Sequence, residues 1–203
     1  MNNFNTFTAT PKCTGSMLNA WVGKDNSTGI LNSVVLVLTQ QASWDDKKKQ
    51  GYFKENLKNP SKENVISLNR GEVGRLIRYL GTVGGFPFVQ EGDKKRVSSI
   101  YHNYNDKVTT LELGEEQYSP KTGVPYQAIK VSQKDGGTWV NINHTMQDGE
   151  LEAFRIWLQE AIIQMYHSQL SERPAPASNT TTAPTATAPE PEKQEEDDGD
   201  VPF

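Results

Sequence analysis

The chain has 203 residues, of which 34% are hydrophobic and 23% are charged, with a net charge of −4 and a mean hydropathy of −0.68. No run of about 18 apolar residues occurs, so no membrane-spanning helix is predicted, and the polar start Met1–Asn5 does not resemble a secretory signal. The single cysteine, Cys13, has no partner for an internal disulfide, and we therefore expect a soluble, cytoplasmic protein.

The first part of the chain has the alternation that predicts β-strands. In Met17–Val22, apolar residues alternate with Asn19 and Trp21, which places Trp21 on the face turned away from the core. The apolar run within Ile30–Thr39 predicts a central strand. Weaker strand predictions follow for Gly51–Leu57 and Val65–Leu68.

A helix follows these strands. Asn69 and Glu72 have the spacing of a capping box, and Gly81 is suited to close the C-terminal end. Between them, apolar residues recur at the helical spacing of three, four and seven positions. These residues are Val73, Leu76, Ile77 and Leu80.

The same order of elements then recurs. Four further strands are predicted at Val97–Tyr104, Val108–Leu113, Tyr126–Ser132 and Thr138–Asn143. The turn sequence Asp135-Gly136-Gly137 predicts a hairpin between the last two. A long helix is predicted from Asp148, with one apolar stripe formed by Leu151, Phe154, Leu158, Ala161, Ile162 and Met165.

This order predicts an α+β domain over residues 1–170, in which two antiparallel β-sheets are each followed by a helix. An oligonucleotide-binding (OB-fold) β-barrel is the alternative, because a series of strands with two helices fits both folds. Residues 171–203 differ in composition: they contain six prolines and carry eight acidic against two basic residues. We expect them to form a disordered linker and an acidic tail.

The predicted outward faces combine aromatic and basic side chains. Alternation places Tyr126 and Lys130 on one outward face and Trp139 on the next strand, and Tyr52 is expected to share a face with Lys54. Single-stranded nucleic acid needs such a surface, because bases stack on rings and ammonium groups neutralise phosphates. Packing between subunits is the alternative use of exposed aromatic residues.

Two basic triplets, Lys47–Lys49 and Lys94–Arg96, are expected in hairpin loops. The complete set of candidate nucleic-acid-binding residues is Trp21, Lys24, Lys47, Lys48, Lys49, Tyr52, Lys54, Lys94, Lys95, Arg96, Tyr101, Tyr126, Lys130 and Trp139.

Sequence motifs for catalysis, cofactors or metals are lacking. The chain has no phosphate-binding loop, no Cys-x-x-Cys pair and no His-Glu-x-x-His motif. His102, His144 and His167 are widely spaced, as expected of surface or strand histidines rather than metal ligands. We therefore expect a protein that is not an enzyme and that uses no cofactor.

The C-terminal residues Asp197, Asp198, Gly199, Asp200, Val201, Pro202 and Phe203 resemble the acidic tip of bacterial single-stranded DNA-binding proteins. In that family the tip docks on partner proteins through the terminal phenylalanine and its carboxylate. The resemblance implies that Asp197, Asp198, Asp200, Val201, Pro202 and Phe203 bind replication or repair proteins.

The body is instead similar to Whirly proteins and related single-strand-binding coactivators. The resemblance is carried by residues 66–77, whose sequence ISLNRGEVGRLI is similar to the junction between strand and helix in Whirly proteins, and by the order of elements. It implies two antiparallel sheets, an oligomer and single-strand binding with little sequence preference. The Lys-Gly-Lys-Ala-Ala-Leu signature of plant Whirly proteins is absent, so no contact residue is carried over.

These observations predict a sequence-tolerant single-stranded DNA-binding protein of replication, recombination or repair in a bacterial or phage-infected cell, with a phage genome as one expected origin. Three alternatives are an RNA-binding or transcription-regulating single-strand binder, a non-catalytic oligomeric structural protein, and a metal-dependent nuclease. No cluster of acidic residues favours the nuclease.

Overall fold

The computed structural model describes residues 3–91, 94–135 and 137–171, with the backbone alone for residues 88–91, 94–97 and 135. Its strands are β1 (Phe4–Thr8), β2 (Ser16–Lys24), β3 (Leu31–Gln40), β4 (Ser43–Asp45), β5 (Gln50–Tyr52), β6 (Glu63–Asn69), β7 (Phe88–Glu91), β8 (Lys94–Val97), β9 (Ile100–Tyr104), β10 (Lys107–Leu113), β11 (Gln117–Tyr118), β12 (Pro125–Asp135) and β13 (Thr138–Gln147). The helices are α1 (Arg70–Tyr79), α2 (Asp148–Ser171) and a 3₁₀ turn at Lys54–Asn56.

The chain divides into two units, Met1–Arg173 and Pro174–Phe203, and the second unit lies outside the described residues. The tail was predicted to begin at residue 171, three residues before the start of the second unit. Its disorder remains a prediction.

Sheet 1 consists of β1, β2, β3 and β6 in that order, and every pair in it is antiparallel. The inward side chains of its strands lie in register, with Leu18 opposite Leu38 and Leu36 opposite Ile66. Each of these leucines is fully buried, as expected for a strand with neighbours on both sides.

Sheet 2 contains β9, β10, β12 and β13, again antiparallel throughout, and the short β11 pairs with the start of β12. The hairpin between β12 and β13 closes after Asp135, which lies opposite Thr138. The described strands therefore form two separate main sheets, as predicted, and not the closed barrel of the alternative. The α+β prediction is confirmed.

One hydrophobic core lies between the sheets and helices. Burying this apolar surface is the main driving force for folding, at roughly 25 cal/mol per Å². Sheet 1 contributes Leu18, Ala20, Val34, Leu36, Leu38, Ile66 and Leu68, and sheet 2 contributes Ile100, Leu111, Leu113, Ile129, Val131, Ile142 and Met146. The helices add Val73, Leu76, Leu151, Phe154, Leu158, Ala161 and Met165, and Leu80 and Phe86 add to the core from the segment after α1.

The predicted capping box of α1 is present. The Asn69 side chain accepts a hydrogen bond from the Glu72 backbone N–H at 3.0 Å, and Glu72 Oε2 accepts from the Asn69 N–H at 2.8 Å. Gly81 follows the helix with a φ of 73°, a left-handed conformation that glycine adopts without steric cost. Its N–H donates to the buried side chain of Gln127 at 2.8 Å, which joins the end of the helix to sheet 2.

Helix α2 has two apolar stripes. The first is the predicted one, and it is buried in the core except for the partly buried Ile162. The second consists of Ile156, Ile163, Tyr166 and Leu170, each between 38% and 52% exposed. Ile156, Ile163 and Leu170 are seven residues apart, which is the spacing of a helix that packs against another helix.

One strand prediction and one loop prediction are wrong. The predicted strand Gly51–Leu57 ends at Tyr52, where buried Phe53 leads into the 3₁₀ turn. The predicted loop at Lys94–Arg96 belongs to strand β8, which pairs with β7. Strands β1, β4, β7 and β11 were missed because they are short and rich in polar residues.

Candidate nucleic-acid interface

The outward side of sheet 2 is the surface that collects most of the predicted aromatic residues. We call it the polar face, and it consists of Tyr101, Asn103, Val108, Thr110, Glu112, Tyr126, Ala128, Lys130, Ser132, Lys134, Trp139, Asn141, Asn143, Thr145 and Gln147. The registers place these residues in rows across the strands, with Lys130 between Glu112 and Asn143. The intervening residues Ile129, Val131 and Ile142 are buried, so alternation predicted this face correctly.

Three aromatic rings lie on the polar face. Tyr101 is 57% exposed and Trp139 is 45% exposed, at opposite margins of the sheet. Tyr126 is half-buried, and its hydroxyl donates to Gln117 Oε1 at 2.7 Å. Rings held on strands in this way are available for stacking with unpaired bases.

The polar face carries little net charge. Lys134 lies directly opposite Trp139 in the β12–β13 pair. Lys130 lies opposite Glu112, and its Nζ is 2.9 Å from Glu112 Oε2. Glu112 therefore neutralises the charge of Lys130. Lys134 takes part in none of the described ion pairs, so its positive charge is not neutralised by a neighbouring acid.

Most other side chains of the polar face are uncharged hydrogen-bonding groups. Amides and hydroxyls donate and accept at once, so they suit the edges of bases rather than phosphates alone. They are contributed by Asn103, Thr110, Asn141, Asn143, Thr145 and Gln147, whereas Ser132 on the same side of the sheet is buried.

Two buried polar residues hold sheet 2 against sheet 1. Asn64 of β6 is fully buried, and its Nδ2 donates to the carbonyl oxygens of Val131 at 2.7 Å and Val140 at 2.8 Å. His144 of β13 is also fully buried, with Nδ1 3.0 Å from the Ser16 hydroxyl. Hydrogen bonds on the core side of sheet 2 therefore fix the position of the strands that carry the polar face.

Burial lowers the pKa of His144 from 6.5 to about 4. The nearby carboxylate of Glu150 acts in the opposite direction and is the smaller effect. The imidazole is therefore neutral at neutral pH, and the hydrogen bond to Ser16 joins two uncharged groups. Its role here is structural.

A cleft of about 340 Å³ continues from the polar face past the edge of β13. It is lined by Asn141 and Asn143 on one side and by Gln40 and residues 13–16 on the other. Cys13, the one cysteine of the sequence, is exposed here. A nucleic-acid strand lying across β13 would pass beside the thiol of Cys13.

Two predicted residues lie on sheet 1 instead. Trp21 projects from the outward side of β2, opposite Val35, and Lys24 is exposed at the end of that strand. Exposed Phe7 and Val65 belong to the same outward side, which carries apolar rather than basic neighbours. Because the inward sides of both sheets share one core, Trp21 and Trp139 do not belong to one continuous face.

The hairpin of β4 and β5 carries Lys47, Lys48 and Lys49 in its turn, as predicted. The backbone N–H groups of Lys47 and Lys48 donate to Asp45 Oδ1, and Lys49 Nζ is 3.7 Å from Asp46. The expected common face of Tyr52 and Lys54 is wrong, because the strand ends at Tyr52 and Lys54 begins the 3₁₀ turn.

The remaining predicted residues are described in part or not at all. Lys94, Lys95 and Arg96 lie in β8, for which the backbone alone is described. The tip residues Asp197, Asp198, Asp200, Val201, Pro202 and Phe203 lie outside the described residues.

Sequence reasoning missed Lys134 and Glu112. Lys134 continues the alternation of Tyr126, Ala128 and Lys130 along β12, but the strand was predicted to stop at Ser132. Glu112 was missed because its position beside Lys130 depends on the register between β10 and β12, which one strand's alternation does not reveal.

Within the described part of the chain, no group of three or more His, Cys, Asp or Glu residues is placed to hold a metal ion. The described helices likewise include none that is long and apolar enough to cross a membrane.

No protein-family model matches the chain, and no match was found among curated proteins. Among solved structures, the chain is similar to WHY3 from Arabidopsis thaliana, with 10% identity, a TM-score of 0.49, and coverage of 84% of this chain and 92% of that one. It is similar to the plant transcriptional regulator PBF-2 with 13% identity, the same TM-score, and coverage of 84% and 85%.

It is also similar to MRP1/MRP2 from Trypanosoma brucei, with 14% identity, a TM-score of 0.40, and coverage of 83% and 85%. WHY3 and PBF-2 are Whirly proteins. Similarities of this extent assign neither a family nor a function to this chain.

Proposed function

We propose that this protein binds single-stranded DNA on the polar face of sheet 2. The observation that carries the proposal is the exposure of Tyr101 and Trp139 on one strand-built face, with Lys134 beside the tryptophan and Thr110 beside the tyrosine. Each base that stacks on an aromatic ring contributes roughly 1–3 kcal/mol, and every base offers such a surface. Binding of this kind tolerates many sequences.

The charge of the face favours a single strand over a duplex. In a duplex the bases are stacked on each other, so a protein reaches them only at their edges or contacts the phosphates. Phosphate-driven binding needs many basic residues, whereas Lys130 here is neutralised by Glu112. The rings, amides and hydroxyls of the polar face are better matched to unpaired bases.

The decisive experiment is fluorescence anisotropy of a labelled dT oligonucleotide titrated with the full chain, with duplex DNA, oligo(U) and unlabelled dT as competitors. The matched variants are Tyr101→Ala and Tyr104→Ala. Both tyrosines are exposed on β9, at 57% and 77%, but their side chains lie on opposite sides of the strand. We expect weaker binding for Tyr101→Ala and unchanged binding for Tyr104→Ala.

Failure of the wild-type protein to bind dT at low salt would contradict the proposal. Equal losses for both tyrosine variants would place the contact elsewhere. Stronger competition by oligo(U) than by dT would favour the RNA-binding alternative.

We propose further that copies of the chain associate through the second apolar stripe of α2. Ile156, Ile163 and Leu170 repeat every seven residues and are exposed in the single chain, and covering such surface stabilises association. Ile163→Glu is expected to shift sedimentation toward the monomer, while Ala153→Glu, at an exposed position of the same helix away from the stripe, serves as the control. If the oligomer forms but binds no oligonucleotide, the structural-protein alternative gains support.

The cellular role also belongs to this proposal. We infer a non-enzymatic, cytoplasmic protein of replication, recombination or repair, phage-encoded in origin, that recruits partners through Val201, Pro202 and Phe203. The acidic tip also competes with DNA in this proposal. Deletion of residues 190–203 should then strengthen DNA binding most at low salt, where screening is weak. Unchanged low-salt affinity would argue against that competition.

A further inference from the structure

A cavity of about 340 Å³ opens on the polar face beside the ion pair of Glu112 and Lys130. Its lining combines an apolar part, Ala128 and Phe86, with the polar side chains of Glu112, Lys130, Asn143 and Thr145. An apolar lining with a few convergent polar groups is typical of a small-molecule site, and the volume is sufficient for one nucleobase.

The wall opposite the strands is a loop that needs glycine. Gly85 has a φ of 50°, and a Cβ there would lie 2.3 Å from the Gly114 carbonyl oxygen. Glycine therefore allows the loop 84–86 to approach the end of β10 closely. The cavity is bounded by this contact.

The charges of the cavity exclude a phosphate and favour a group rich in hydrogen-bond donors. Its lining has two carboxylates, Glu112 and Glu115, against the single ammonium of Lys130. A negative balance repels phosphate. The same carboxylates accept hydrogen bonds from the N–H groups of a base.

The order of groups in the ion pair selects among the bases. Lys130 Nζ donates to Glu112 Oε2 at 2.9 Å, so an ammonium donor and a carboxylate lie side by side in the cavity lining. The pair thus offers a donor group beside a group with two acceptor oxygens. On the Watson–Crick edge, guanine presents O6 as acceptor and then N1–H and N2–H as donors, whereas the edges of adenine, cytosine and thymine have other orders.

We propose that this cavity is a guanine-preferring subsite within the single-strand interface. Glu112 accepts from N1–H and N2–H of an unstacked guanine, and Lys130 donates to O6. This inference depends on the proposed function of the polar face. It adds a preference at one position to a surface that otherwise tolerates any sequence.

The test compares the full chain's affinity for three labelled oligonucleotides: all dT, dT with one central dG, and dT with one central deoxyinosine, which lacks the N2 amine. We expect dG to bind about tenfold more tightly than dT, because a bidentate contact to the correct base discriminates by that order. Deoxyinosine should lose most of the gain. Glu112→Gln should abolish the preference for dG, and Glu55→Gln, an exposed change in the 3₁₀ turn outside the cavity, should retain it.

Equal affinity of the wild-type protein for dT and dG oligonucleotides would overturn the guanine subsite and leave single-strand binding intact. A full gain with deoxyinosine, or a preference that survives in Glu112→Gln, would also overturn it. Absence of binding to all three would overturn the proposed function and the subsite together.

Discussion

Lys134 lies directly opposite Trp139 across the antiparallel pair of β12 and β13, with both side chains on the outward side of sheet 2. Cross-strand partners of this kind are close neighbours. A base stacked on the indole would bring its own phosphate toward the ammonium group. The pair therefore joins the two kinds of contact that single strands require.

Replacing Trp139 with alanine removes one stacking surface. We expect binding to dT to weaken by roughly 1–3 kcal/mol, and single-stranded DNA to quench less tryptophan fluorescence in the variant than in the wild-type protein. Trp44→Ala is the control, because Trp44 lies in the β4–β5 hairpin and donates to Asp46 at 3.2 Å. A greater loss for Trp44→Ala would move the interface to the hairpin.

Replacing Lys134 with alanine tests the phosphate contact. Each phosphate contact adds about 0.7 to the slope of log affinity against log salt for single strands. We expect Lys134→Ala to reduce this slope by about that amount, as measured by anisotropy across a salt series. Lys107→Ala removes the same charge from β10 at a position that pairs with Tyr104, away from the polar face; an equal reduction there would indicate a non-specific charge effect.

Cys13 offers a footprint of the bound strand. Its thiol is exposed in the cleft beside Asn141 and Asn143, at the margin of the polar face. We expect saturating dT to slow the reaction of this single cysteine with a thiol reagent, and duplex DNA to have a smaller effect. The protection should diminish in Trp139→Ala at the same DNA concentration. A reaction rate that dT leaves unchanged would exclude a path across β13.

Asn64 is expected to be a stability residue. Its side chain donates to two carbonyl oxygens of sheet 2 from a fully buried position. Asn64→Ala leaves both acceptors without this donor, and we expect the free energy of unfolding in urea to fall by about 1–3 kcal/mol. Asn5→Ala, an exposed change on β1, should be close to neutral. Similar values for the two variants would contradict the structural role.

The lowered pKa of His144 predicts how the free energy of unfolding depends on pH. Its pKa is about 4 in the folded chain against 6.5 for a free histidine, so the unfolded chain binds the proton more readily. The stabilisation that the neutral, buried imidazole gives the folded chain is fully present above pH 6.5 and is lost as the pH falls toward 4. Between pH 7.5 and 5 we expect a loss of about 2 kcal/mol in urea unfolding. The loss should be smaller in His144→Gln and unchanged in exposed His167→Gln.

The sequence predicted strands more reliably than it predicted which strands meet. Alternation along β12 and β13 placed Lys130 and Trp139 on the correct side because burial repeats every second residue. It failed at Lys54, where the buried Phe53 and a 3₁₀ turn interrupt the period. The alternation of polar and apolar residues along one strand does not show where a buried aromatic residue and a turn end that strand.

The composition of the interface was predictable only in part for a related reason. Trp21 and Trp139 both alternate with apolar residues, so the sequence treats them alike, although they belong to different sheets. The neutralisation of Lys130 by Glu112 likewise depends on the pairing of β10 with β12. Pairings between strands follow from the packing of the whole domain.

The proposed association through the second stripe of α2 would affect how long single-stranded DNA stays bound. Helix α2 packs against the core, and the polar face lies on the outward side of sheet 2, so association through the stripe leaves that face open. An assembly would then present several such faces to one strand. Once one face holds the DNA, each further contact is intramolecular, and its effective concentration is set by the intervening nucleotides. A single face that releases its bases would recapture them before the strand escapes, so modest affinity at each face would give slow release of the whole strand.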